Sequence, residues 1–137
     1  MEEQFCTYDI ALKFKELGFN EKCLAWYYLP ENAADINDYI FALDNDTPEN
    51  QIVYIKCPLW QQCFDWFLNK KHLYIDITFK EVKGPKIEGI NSVYFDIEIY
   101  SISGGDAWKK YRFSEISDDY SYAREQAILK ALELISK

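Results

Sequence analysis

The sequence predicts an α+β fold: a single domain spanning residues 1–137, with a largely antiparallel sheet of about five strands and three helices packed on one face. Three observations carry this expectation. Apolar residues recur at helical spacing in three separate segments, two long runs alternate with the period of a strand, and the later strands follow one another directly. With 137 residues, 49% of them hydrophobic, the chain has the length of one domain and enough apolar content for a core.

Residues 7–17, TYDIALKFKEL, set Ile10, Ala11, Phe14 and Leu17 on one helical face, with Thr7 as N-cap and Gly18 as the stop. Asp9 and Lys13 form an i, i+4 pair on the opposite face. CLAWYYL, 23–29, reads as a strand closed by Pro30. Residues 31–49 carry six acids and no base around Tyr39-Ile40-Phe41, and their structure and role stay open at this point. QIVYIKC, 51–57, is the next strand, and Pro58 then opens a second helix where its missing N–H has no partner to lose. LYIDITF, 73–79, and SVYFDIEIYSIS, 92–103, alternate cleanly on either side of a turn-bearing loop, KEVKGPKIEG.

The hairpin that follows can be tested for register. A two-residue loop, Gly104-Gly105, opposes Ile99 with Lys110 and Ile97 with Arg112, which mixes the two faces. A three-residue loop, Gly104 to Asp106, pairs Ile99 with Tyr111, Ile97 with Phe113, Tyr100 with Lys110 and Glu98 with Arg112. One face is then apolar and the other charge-paired, so this register is expected. The last helix, from about Ser121, aligns Ala127, Ile128, Ala131, Leu132 and Ile135, with Asp118 and Asp119 at the positive end of its dipole.

Net charge is −8, which disfavours nucleic acid, because affinity for a phosphate backbone comes from Lys and Arg releasing counterions. The longest apolar run, CLAWYYL, falls far short of the roughly 20 residues that span a bilayer, so no membrane association is expected. The acidic start, MEEQFCTYD, does not resemble a secretory n-region, and Cys6, Cys23, Cys57 and Cys63 share no repeated spacing. These features point to a reducing, cytoplasmic setting.

CPLWQQCFDWFLNKKH, 57–72, gathers two cysteines, the single histidine and two tryptophans. As a metal site it fails, because the intervals between Cys57, Cys63 and His72 match no zinc pattern. Cys63 lies among Phe and Trp, where a thiolate is disfavoured, and His72 follows two lysines as a surface residue. On a helical wheel Trp60, Cys63, Phe64 and Phe67 share a face flanked by Leu59, Trp66 and Leu68. That arc is wider than a one-sided core helix needs. Leu59 and Trp66 are therefore candidates for a partner surface, alongside Tyr94 and Tyr100 on the alternating strand.

Asp76 on one strand, with Asp96 and Glu98 on the next, can point outward from the sheet together, and paired carboxylates can hold Mg2+ or act as acid and base. A restriction-like nuclease places a lysine two residues beyond the glutamate, and Tyr100 stands there instead. DNDTPE, 44–49, begins like a calcium loop but puts Glu49 where glycine is required. No catalytic, cofactor or metal residue is therefore assigned.

Three segments, TYDIALKFKELGF, PLWQQCFDWFLNKK and YSYAREQAILKALELI, together resemble a group of short uncharacterised proteins of gut-bacterial phages and prophages. The likeness covers about a third of the chain, and Pro58-Leu59 departs from the Pro-Thr usual before the tryptophan, losing a hydroxyl N-cap. It implies a phage-related setting and no activity. The function expected is that of an accessory protein acting by binding a protein partner or a second copy, not an enzyme. The alternatives are a metal-dependent hydrolase using Asp76, Asp96 and Glu98, and a single-stranded nucleic-acid accessory protein with Tyr94 and Tyr100 as stacking platforms.

Overall fold

The structure, a computed structural model, describes residues 2–28, 40–43, 54–81 and 93–136. Pro30, the acids of 31–49 and the loop beyond Glu81 lie outside the described residues. The chain divides into two compact units, Met1–Cys63 and Phe64–Lys137.

In the first unit, α1 runs Tyr8–Glu16 with Thr7 as its N-cap, the side-chain oxygen accepting from the Ile10 N–H at 3.4 Å. Ile10, Ala11 and Phe14 face the core as expected. The helix stops in a Schellman arrangement: the Phe19 N–H reaches the Phe14 carbonyl at 2.9 Å and the Gly18 N–H reaches that of Lys15 at 3.1 Å. Gly18 has φ +92°, a conformation that costs a residue with a Cβ about 1–2 kcal/mol. The Phe14 and Phe19 rings meet edge-on at 5.5 Å, the apolar contact that accompanies this motif.

Three antiparallel strands form the sheet of this unit: β1 (Ala25–Tyr28) lies between β2 (Ile40–Leu43) and β3 (Tyr54–Lys56). β2 arises from the apolar patch within the acidic segment, a strand that the sequence left unassigned. Cys23 and Leu24 precede β1 and Cys57 follows β3, while Leu29 and residues 51–53 lie outside the described residues.

α2 (Trp60–Lys71) begins two residues after Pro58. Pro58 is thus not its first residue, because Leu59 is held in an isolated antiparallel bridge with Phe5 and its carbonyl accepts the first helical bond, from the Cys63 N–H. Leu59 occupies the N-cap without a hydroxyl, and the Gln62 side chain, three residues on, accepts from the Leu59 N–H at 3.0 Å. That is half of a capping box. α2 ends at His72, which is exposed and adopts φ 57°.

The second unit holds β4 (Leu73–Glu81), β5 (Val93–Ser103), β6 (Asp106–Glu115) and α3 (Tyr120–Ile135). The strands form one antiparallel sheet in the order β4-β5-β6. Its apolar face, with Phe95 and Ile97, packs on Ala123 and Ala127 of α3, and Ile75, Ile77 and Phe113 close the cluster. The small alanines let the helix approach the strands closely. Asp119 caps α3, accepting from the Ser121 and Tyr122 N–H groups.

Among the described residues, the expected single sheet of about five strands is thus replaced by two sheets of three. With β2 on one edge of β1 and β3 on the other, the first sheet is accounted for within its own unit, and the long alternating runs pair among themselves. Three helices on one face of one sheet do not describe this arrangement either. α1 packs near β3, and α3 packs on β4 and β5.

The β5–β6 hairpin reconciles the two registers weighed from the sequence. The turn is the two-residue Gly104-Gly105, both at positive φ, so Ser103 pairs with Asp106 and Tyr100 with Lys109. A bulge then leaves Lys110 without a cross-strand partner, and from Ile99–Tyr111 onward the pairing is the expected one, with Glu98 opposite Arg112 and Ile97 opposite Phe113. The bulge supplies the single-residue offset that the three-residue loop was expected to provide.

Candidate functional site

The second sheet turns a polar face away from α3. Register places Tyr74 opposite Tyr100, Asp76 opposite Glu98, Thr78 opposite Asp96 and Lys80 opposite Tyr94, with Arg112 and Lys109 arriving from β6. Alternation along β4 and β5, with Asp76 in register opposite Glu98, brings all three carboxylates to this face, as expected. Their surroundings differ.

Asp96 is only 3% exposed, and Arg112 grips both its oxygens, Nε to Oδ1 at 3.0 Å and a terminal nitrogen to Oδ2 at 2.9 Å. Such two-point charge-assisted pairs are among the stronger hydrogen bonds. This hydrogen bonding holds the Asp96 carboxyl below the ordinary aspartate range against the opposing effect of burial. Glu98 accepts from the Tyr100 hydroxyl and has Lys109 at 3.4 Å and the Arg112 Nε at 3.6 Å. The Tyr100 bond leads in lowering the Glu98 pKa and in raising that of Tyr100. Asp76 accepts from the Thr78 hydroxyl at 3.2 Å.

Because the Asp96 pKa is depressed in the folded state, its contribution is present above the unfolded value of about 3.9 and disappears as pH falls through the folded value. Wild type is therefore expected to lose stability on acidification below about pH 4. Asp96→Asn, with no carboxyl to protonate, should show a flatter acid limb in thermal melts from pH 7 to 2. Parallel acid limbs would contradict the assignment.

Of the four residues expected as a partner surface, Leu59 belongs to the first unit and Trp66, Tyr94 and Tyr100 to the second. Tyr94 and Tyr100 share the polar face, both half-buried, and Tyr100 lies beside Tyr74 with ring centroids 6.4 Å apart. Leu59 is half-buried in its bridge and N-cap position. Trp66 is 4% exposed, with Phe67 edge-on at 5.5 Å and the Lys71 ammonium 5.4 Å from its ring, so it offers no free surface. Rings that are exposed, Tyr74 and Trp108 among them, were not singled out from the sequence. For Tyr74 the signal was there: alternation from Asp76 puts it on the same face.

All four cysteines are reduced and buried. The Cys57 thiol donates to the Cys6 carbonyl at 3.3 Å. The Cys6 thiol is lowered by its bond with Cys57, but the bond with Cys63, burial and the nearby sulfurs outweigh this and push it up. Burial raises Cys23 to about 12. Such thiols are poor nucleophiles. Among the described residues, no group of three or more His, Cys, Asp or Glu side chains is arranged to hold a metal ion. Among the same residues, no helix is long and apolar enough to cross a membrane.

Comparison with protein-family models, with curated proteins and with solved structures gives no match for this chain.

Proposed function

We propose that this chain acts by binding a protein partner, with Asp76, Asp96 and Glu98 serving the sheet instead of a reaction. The observation that supports this is the neutralisation of the polar face from within. Asp96 is held at two points by Arg112, and Glu98 is met by Tyr100, Lys109 and Arg112. A general base needs a free lone pair directed at substrate, and a hard cation needs several oxygens turned toward one point. Here those oxygens are directed at cations and hydroxyls of the protein. The cytoplasmic setting and the phage or prophage context belong to the same proposal, and rest on the composition and on the three resembling segments.

The test is a comparison of wild type with Glu98→Ala. Purified wild type is expected to carry no stoichiometric divalent metal and to leave DNA and RNA intact in Mg2+ or Mn2+. Metal-dependent cleavage that disappears in Glu98→Ala would overturn the proposal in favour of the hydrolase. Salt-sensitive capture of single strands would overturn it in favour of the nucleic-acid reading.

A further inference from the structure

We infer that β6 is a strand-addition site for an extended partner segment that alternates acidic with apolar residues. The inference deepens the binding reading above and rests on it. Among the described residues β6 is an edge strand, paired only with β5, and seven consecutive residues, Asp106–Arg112, are exposed. An edge presents unpaired backbone N–H and C=O groups, which an incoming strand can satisfy.

The bulge gives this edge two distinct sides. Residues three apart on a regular strand point to opposite faces. Here Trp108 pairs with Ser101 and Tyr111 with Ile99, so both lie on the face that α3 covers further along. Lys109 pairs with Tyr100 and Arg112 with Glu98, so both lie on the polar face. Trp108 is 56% exposed and Tyr111 38%, while the side chains of Lys109 and Arg112 are 46% and 56% exposed despite their ion pairs. Lys110, the bulged residue, is also exposed and has no ion-pair partner among the described residues. A strand laid along β6 meets aromatic rings on one side and cations on the other. Period-two alternation of apolar and acidic side chains answers both.

Charge also argues against a second copy as the occupant. Antiparallel pairing of two β6 strands over their full length sets Lys109 opposite Arg112 and Asp106 opposite Glu115. Both pairs are like-charged and destabilising. Lysines and a bulge guard an edge against indiscriminate pairing. An acidic strand turns the same lysines into an attraction.

The probe is a capped synthetic peptide alternating glutamate and valine, titrated into the full chain while backbone amides are followed by NMR and hydrogen exchange. A peptide with lysine in place of glutamate and one of equal composition without alternation serve as controls. The expected result is slowed exchange confined to β6 and its neighbours with the alternating acidic peptide alone, weakened by salt and about tenfold weaker in Trp108→Ala. Trp108→Ala should melt at the wild-type temperature. No protection at β6, or equal binding of either control, overturns strand addition while leaving the binding reading standing. Metal-dependent hydrolysis lost in Glu98→Ala overturns that reading itself.

Discussion

Replacing Phe67 with alanine is expected to lower the free energy of unfolding by about 3–5 kcal/mol. Phe67 is fully buried in α2, against Trp66, and truncation to alanine removes the whole ring from a site closed to solvent in the wild type. The loss combines the transfer term with the cavity left behind. Phe64, which the helical wheel placed on the same core face, is only half-buried. Phe64→Ala should therefore cost about 1–2 kcal/mol, in the ordinary range for a partly exposed site. Denaturant melts of the two variants provide the measurement. Equal losses, or a Phe67 loss below about 1 kcal/mol, would contradict the burial pattern of α2.

Phe14→Ala should cost a similar amount, about 3–5 kcal/mol, through two mechanisms at once. Phe14 is fully buried, and its ring is the edge-on partner of Phe19 across the Schellman turn. Truncation leaves a void and removes the apolar contact that holds the chain reversal after α1. The backbone bonds of that turn involve the Phe14 carbonyl, which survives the substitution. Secondary structure should thus be retained at low temperature while stability falls. Amide exchange is expected to accelerate most in α1 and β3, the elements that pack together in the Met1–Cys63 unit. Unchanged protection in α1 would contradict this account.

Local chemistry was legible wherever a few neighbouring residues decide the outcome. Thr7 and Gly18 bracket α1 because a hydroxyl at the N-cap and a Cβ-free residue at positive φ satisfy the end groups of that helix alone. Asp119 does the same for α3. Charge pairing of Glu98 with Arg112 followed from keeping apolar side chains on one face of a hairpin. The offset came from a bulge instead of a longer loop, since alternation constrains which residues face each other and leaves open where the extra residue sits.

The candidate surface was less legible. Leu59 and Trp66 were set at the edge of a wide apolar arc, but a wheel shows only which side chains share a direction. It does not show whether Trp66 is covered, and the fold leaves that ring 4% exposed. Asp96 shows the converse. Alternation assigned it to the polar face but not its burial, and there Arg112 lies across it and it is 3% exposed.

By itself, the sequence determined the three helices, the long antiparallel hairpins and the separation of an apolar from a charged face on β5. Each depends on periodicity and on end groups within a span of about one element. Only the tertiary structure decided that the strands divide into two sheets of three, that Ile40–Leu43 pairs with β1, and which aromatic rings stay exposed. Strand partnership and burial are set by contacts between residues far apart in the chain, and hydrophobic attraction has no direction that a local pattern could record.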